Sequence, residues 1–240
     1  MYFDKFDNLI RITGKIVNET PIAIRAGNVA VGPIENPIVR LNGIPYIPGS
    51  SLKGVLRSEA ERYARSIGEK VCDILNPKGE NGELKWKKEK EERKEEYEPC
   101  IICKIFGGPT IFSRVRFFDC FPSNGKYSTS LIQRVSISRI TEAQYPGRLF
   151  EVEFIEPGTN FDFKLEIENF TDNDQIEGKI LRFVLNQLIA GNISIGGMKS
   201  VGFGRIKLLK ETVSVKKYTL EKGEIKEYDI TNSFLGGLLK

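Results

Sequence analysis

Pro48-Gly49-Ser50-Ser51-Leu52-Lys53-Gly54-Val55-Leu56-Arg57 opens the most legible helix of this 240-residue chain. A serine is the expected N-cap, and Leu52, Val55, Leu56, Ala60 and Tyr63 recur at helical spacing as one apolar stripe. Lys53 and Arg57 stand one turn apart beside that stripe. The helix start therefore combines free amides, two hydroxyls and two cations, which is phosphate-binding chemistry. The same residues also suit an ordinary capped amphipathic helix with exposed basic side chains.

Upstream, residues 25–47 carry Gly27, Gly32, Pro33, Pro37, Gly43 and Pro45, a density of breakers that predicts an ordered loop or short hairpin. Before it, Leu9 to Val17 alternate apolar and polar positions as a half-buried strand does. Downstream, residues 78–98 hold seven Lys or Arg and eight Asp or Glu in 21 positions, a solvated helix or mobile flap inserted at about 70–110. Arg114 to Phe121 and Asn160 to Ile167 resume strand patterning. Between them, residues 122–158 are too long for a simple connection and are read as a second, projecting insertion. A second helix is expected from Asp174 to Ala190 behind an Asp/Asn cap, and Ile193, Ile195 and Phe203 to Leu209 supply closing strands. The order strand, helix, strand, strand, helix, strand is an α+β, ferredoxin-like plan shared with the RNA recognition module. One domain with insertions fits the length and the 40% hydrophobic content; residues 211–240 add a final strand and tail without an assigned role.

Bulk numbers exclude more than they identify. A formal charge of +4 is only mildly basic, so any nucleic-acid surface has to be local. The Lys- and Glu-dominated charge with only two Met leans toward a thermophilic source. The N-terminus has neither a basic region nor an apolar signal core and no apolar run is long enough to span a membrane, so the chain is expected in the cytoplasm. Histidine is absent, which removes the imidazole base, the Ser-His and Cys-His nucleophiles and His-rich metal sites. Chemistry must rest on carboxylates, Lys, Tyr, Cys or a divalent ion.

The strongest local signal is Ile195-Gly196-Gly197-Met198-Lys199-Ser200-Val201-Gly202-Phe203-Gly204-Arg205. Gly196, Gly197, Gly202 and Gly204 with Ser200 let backbone amides approach phosphate oxygens without Cβ obstruction, and Lys199 and Arg205 add charge. The Lys-Ser pair follows the wrong glycine spacing for a nucleotide-binding P-loop. A plain glycine-rich turn between helix and strand accounts for the same residues equally well. The cysteines, Cys72, Cys100-Ile101-Ile102-Cys103 and Cys120, offer a CxxC knuckle plus one thiol before the flap. That set suits a structural zinc ion with Cys120 as the uncertain fourth ligand; buried free thiols or a disulfide are the alternatives.

Together these stretches resemble the RAMP (repeat-associated mysterious protein) superfamily. Pro45 to Gly54 with Arg57, and the loop from Gly196 to Arg205, look like its two signature segments in order and separation. Phe106-Gly107-Gly108, the strand ending at Asp119, Ser138 to Ala143 and Pro157 to Phe161 resemble landmarks of the backbone subunits of type III CRISPR effector complexes. The resemblance implies a modified RNA-recognition fold that stacks with other RAMP subunits along a guide RNA, base pairing reading the target RNA while protein holds the backbone. It implies that Ser50, Ser51, Lys53, Arg57, Lys199, Ser200 and Arg205 grip guide phosphates. It also implies that the insertion at 122–158 is a thumb bringing Arg139 and Thr141 to the duplex, and that Arg25 and Arg40 flank the RNA.

Such subunits cut the bound target with an acid in the early loop. Here Gly32-Pro33-Ile34-Glu35-Asn36-Pro37 puts Glu35 where they carry Asp, with Mg²⁺ assisting attack by the target's own 2′-hydroxyl. The alternative role for Glu35 is an ion pair with Arg40 or Arg25. The stretch Ile22 to Gly27 also departs from relatives with a His before a Gly pair. Two other functions fit the class less well: a stand-alone endoribonuclease trimming the CRISPR precursor, and a non-catalytic protein-interaction subunit.

Overall fold

A computed structural model describes residues 5–25, 36–170 and 176–238. The expected catalytic position, Glu35, and the expected cap at Asp174 lie outside the described residues.

Ile10, Ile12 and Ile16 turn inward from β1 (Asn8–Asn18), while Arg11, Thr13 and Lys15 take the other side. The chain then forms a two-residue ladder, β2 (Arg40–Leu41) with β3 (Ile44–Pro45), and enters α1 (Gly49–Ser66). Two short helices follow, α2 (Glu83–Glu92) and α3 (Ile101–Phe106), then β4 (Val115–Phe117). A long ribbon, β5 (Thr129–Ile137) with β6 (Gln144–Ile155), precedes β7 (Asn160–Glu168) and α4 (Ile176–Ile189). The chain closes with β8 (Ile193–Ser194), β9 (Arg205–Leu208), β10 (Ser214–Glu221), β11 (Glu224–Asp229) and α5 (Thr231–Leu238).

β1 is central. β7 runs antiparallel along one side, from Leu9 opposite Glu168 to Val17 opposite Asn160. On the other side β10 takes its first half and β9 its last three residues. β4 lies outside β7, so β4-β7-β1-β9 with α1 and α4 reproduces the ferredoxin-like βαββαβ order. The helices share the inner face, where Tyr63 of α1 stacks on Phe183 of α4 with centroids 4.2 Å apart. Leu52, Leu56, Ala60 and Ala64 bury the stripe of α1, and Ile180, Leu181, Val184, Leu185 and Leu188 that of α4.

Four details depart from expectation. The N-cap of α1 is Pro48, not a serine; the amide of Gly49 donates to Asp119 Oδ1 at 2.8 Å, so the cap arrives from 70 residues away. The charged flap is not all surface. α2 is solvated, with Lys85–Glu89, Lys87–Glu91 and Lys88–Glu92 pairs, but α3 buries Ile102, Cys103, Ile105 and Phe106 in the main core. Residues 211–240 do more than trail: β10 pairs directly with β1, and Phe234 and Leu235 of α5 pack against the core. Finally, the outward positions of β1 and β7 carry no aromatic side chain for stacking bases. They hold an ion-pair network instead, in which Glu166 meets Arg11 at 2.9 Å, Lys164 at 3.1 Å and Arg116 at 3.2 Å.

Candidate nucleic-acid interface

Three elements meet at the C-terminal end of β1. Asn18, buried there, donates its side-chain amide to Thr20 O at 3.1 Å and Glu156 O at 2.9 Å and accepts from the Thr159 amide at 2.8 Å. Ile22 and Ile155 exchange backbone hydrogen bonds, which ties the base of the β5–β6 ribbon to the strand end. The glycine-rich loop docks on the same segment through Gly197 N to Ala23 O (2.8 Å) and Gly204 N to Pro21 O (2.7 Å).

That docking fixes what the glycines do. Gly196 and Gly204 have φ of 83° and 89°, and a Cβ on them would stand 2.7 Å from Ala23 O and 2.1 Å from Ile195 O. Gly196 and Gly204 therefore serve close backbone packing, whereas a Cβ on Gly197 would make only an ordinary contact, 3.6 Å from Ala23 O. The tip, Lys199, Ser200, Val201 and Gly202, stays exposed in a 3-10 turn. Arg205 is half exposed, its guanidinium donating to Gly191 O at 2.6 Å and lying 3.4 Å from Glu19.

The start of α1 faces the same end of the sheet. Ile47 bridges Cys120, Pro122 bridges Phe161, and Phe161 pairs with Ile16, two residues from the end of β1. About three strand spacings, on the order of 15 Å, separate this edge from the glycine loop. With Gly49 capped by Asp119, Ser50 and Ser51 keep their hydroxyls free of other described residues. Lys53 and Arg57 turn inward instead. Lys53 Nζ lies 2.8 Å from Ser113 Oγ, and burial followed by repulsion from Arg57 pulls its ammonium pKa down. Arg57 donates to Glu61 (2.9 Å), to Gly107 O (2.6 Å) and to Cys103 Sγ (3.3 Å), with only 13% of its side chain exposed.

The early loop leaves and rejoins the body beside the ribbon. Arg25 bridges Ile38, and Asn36, the residue after Glu35, donates to Glu151 O at 3.0 Å and accepts from the Glu153 amide at 3.2 Å. Arg40 is engaged internally, 2.5 Å from the buried Glu153 carboxylate, which also takes the Ile38 amide at 3.0 Å. Arg139 and Thr141 stand exposed at the ribbon tip around Ile140, which is 94% exposed.

One residue escaped the sequence reading. Arg134 of β5 lies over the Phe203 ring at 5.6 Å, its Nε buried without a hydrogen-bond partner, while Phe154 meets Phe203 edge-on at 5.7 Å. These contacts join the ribbon to the glycine loop. No pattern signalled it: Leu131, Val135 and Ile137 lie on the exposed face of β5, so an inward-apolar reading would have turned Arg134 to solvent.

The cysteines divide. Cys72, Cys100 and Cys103 bring their sulfurs within 4.8 Å of one another, and the Cys103 amide donates to Cys100 Sγ at 3.4 Å. Hydrogen bonds from Cys103 and Cys72 hold the Cys100 thiol far below its ordinary pKa, so a thiolate is favoured in the group. Cys120 is not part of it. It is buried in the bridge to Ile47, its Sγ 3.6 Å from Phe118 O, and burial pushes its thiol up to about 12. The reason is topological: Cys120 lies beyond β4, beside Ile47 at the entry to α1, whereas the knuckle packs against Arg57 further along that helix.

A ferredoxin-like α+β protein with an exposed glycine-loop tip, a projecting two-stranded ribbon and a three-cysteine cluster is thus defined by its fold and site. The model of the RAMP superfamily matches residues 15–207, and the chain belongs to that superfamily. It is 25% identical to the CRISPR system Cms endoribonuclease Csm3 of Methanothermobacter thermautotrophicus over 93% of both chains. It is 27% identical to the protein of the same name from Streptococcus thermophilus, over 88% of this chain and 93% of that one. A 56-residue stretch is 38% identical to the CRISPR system Cmr subunit Cmr6 of Pyrococcus furiosus. Among the described residues no helix is long and apolar enough to cross a membrane.

Proposed function

We propose that this chain is a guide-RNA-binding backbone subunit of a type III CRISPR effector complex, and that it cuts the bound target RNA with Mg²⁺ and Glu35. The observation that carries the reading is that the α1 start, the glycine loop and the ribbon base all lie at one end of the sheet, in a member of the RAMP superfamily. Ser50, Ser51, Lys199 and Ser200 are the groups best placed to hold guide phosphates, with Arg205 and Arg25 at the margins. Arg139, Ile140 and Thr141 at the ribbon tip suit a wedge between guide and target. Lys53, Arg57 and Arg40 act one step back, as struts that set the backbone positions of the gripping residues. The absence of stacking aromatics on the outer face of β1 and β7 supports contact at the sheet end rather than across the sheet. Cys72, Cys100 and Cys103 hold a structural zinc ion that staples the lid.

Glu35 binds the ion or takes the proton of the target's 2′-hydroxyl. Its extra methylene, relative to an aspartate, displaces the carboxylate by about one carbon–carbon bond, and a shift on the order of an ångström costs up to about a hundredfold in rate. The test is to purify the natively assembled complex, sequence the co-purified RNA and assay target cleavage in Mg²⁺ and in EDTA. Short repeat-derived RNA should be present. Glu35→Ala should slow cleavage by at least about a hundredfold, and Glu35→Asp should speed it. A complex without such RNA sinks the proposal. Cleavage of free hairpin precursor in EDTA points to a processing nuclease, and RNA binding that is weak and indifferent to salt points to a protein-interaction subunit.

A further inference from the structure

Glu83 is the one acidic residue of the charged flap that is fully buried, at 0% exposure, in the first turn of an otherwise solvated helix. A buried carboxylate is costly unless something compensates its charge. Among the described residues no Lys or Arg forms an ion pair with it. Its two oxygens are treated differently. Oε1 accepts from Tyr97 Oη at 2.8 Å and Thr110 Oγ1 at 2.7 Å, a satisfied and oriented atom. Oε2 faces only thiols, 4.0 Å from Cys72 Sγ, and a Cβ on Gly108 would stand 2.5 Å from it and 2.6 Å from Cys103 Sγ. Cys72 Sγ in turn lies 3.4 Å from both Cys103 Sγ and Cys100 Sγ.

We propose that Glu83 Oε2 is the fourth ligand of the metal held by Cys72, Cys100 and Cys103, a Cys₃Glu zinc site closed by the flap itself. This rests on the reading of the three cysteines as a zinc site. Tetrahedral zinc with bonds of about 2.3 Å to sulfur and about 2.0 Å to oxygen sets sulfurs ~3.8 Å apart and the oxygen ~3.5 Å from each sulfur. The two sulfur separations of 3.4 Å come close to that, whereas Oε2, 4.0 Å from Cys72 Sγ and outside the three donors that lie within 4.8 Å of one another, has to swing toward the sulfurs to bind. The surroundings match a ligand's second shell: two hydroxyls fix Oε1, the Cys103 amide points at Cys100 Sγ, and Arg57 donates to Cys103 Sγ. Four anionic ligands leave excess negative charge on the site, which the Arg57 guanidinium offsets. Arg57 thereby couples the metal to α1, whose first turn carries Ser50 and Ser51.

The test is made on the full chain, reading metal content, affinity by chelator competition and X-ray absorption of the bound zinc. The wild type should hold one zinc per chain with three sulfurs and one oxygen in the first shell. Glu83→Gln should weaken zinc binding by at least about a hundredfold, Glu83→Cys should restore it with four sulfurs, and Cys120→Ala should change nothing. If the wild type binds no zinc, the zinc reading fails and this proposal with it. If it binds zinc through four sulfurs, or Glu83→Gln binds as tightly as wild type, the three-cysteine site stands and Glu83 is excluded. The absorption measurement needs no variant, so misfolding of Glu83→Gln leaves the proposal open to refutation.

Discussion

The two insertions invert what their compositions suggest. The lid, residues 70–110, is the most charged stretch of the chain, yet its interior is a buried knot of Cys72, Glu83, Cys100, Cys103 and the apolar side of α3. The ribbon of β5 and β6 is far less charged, yet it displays Leu131, Val135, Ile137, Ile140 and Tyr145 to solvent. Among its described side chains, packing is found toward the base, through Val152, Phe154 and Phe203. A two-stranded ribbon that keeps apolar side chains in water is poorly supported by its own chain. The lid is thus completed within the molecule, whereas the ribbon is built to be completed by a partner, which in the proposed function is the guide–target duplex.

The comparison breaks most readily at the lid. Cys103→Ala should cost at least about 3 kcal/mol in urea unfolding, and chelator should bring the wild type down by a similar amount. A lid that tolerates both is not stapled from within. The next largest effect belongs to the ribbon base: Glu153→Ala removes the acceptor of both Arg40 and the Ile38 amide and should cost about 2–3 kcal/mol, with faster proteolysis between residues 25 and 38. Equal proteolysis in the two proteins would show that Glu153 does not tether the early loop.

A control lies in neither insertion. Burial raises the Glu166 carboxyl, but hydrogen bonds and charge from Lys164 and Arg11 outweigh it and hold the group below its ordinary 4.5. A depressed carboxyl contributes stability that is present above pH 4.5 and lost as pH falls through the folded value. Glu166→Gln should therefore lower stability above pH 4.5 and flatten the acid limb of a stability–pH profile, the two proteins converging as pH falls. Smallest of all on stability is Ile140→Ser, expected within about 0.5 kcal/mol of wild type. The same change should loosen binding of the guide–target duplex in the assembled complex. A stability loss above that range would place Ile140 in the fold rather than at a contact surface.

Much of the frame was readable from residue pattern. β1 and β7 largely alternate because one face of each is buried, and α1 is long enough for its 3.6-residue stripe to stand out. The glycine loop was visible as a feature, but its division into packing glycines and an open tip was not, since that depends on Pro21 and Ala23 lying underneath. α3 was missed because six residues give too little periodicity to separate a helix from an apolar run. The cap of α1 was misassigned for a related reason: serine is a strong local capping signal, but Asp119 outcompetes it from across the fold. Lys53 and Arg57 looked like surface cations because sequence records their charge and not the lid that covers them.

Alternation, helical spacing, glycines at backbone positions that exclude a Cβ, and the lack of histidine are local properties, and the linear chain determined them: a ferredoxin-like frame in which any chemistry falls to carboxylates, Lys, Tyr, Cys or a divalent ion. Tertiary structure alone decided which of the nine acids in residues 70–110 is buried beside sulfurs, which cysteine stands apart and which cations turn inward. Burial and electrostatic partnership belong to the neighbours that distant segments supply, so no reading along the chain contains them.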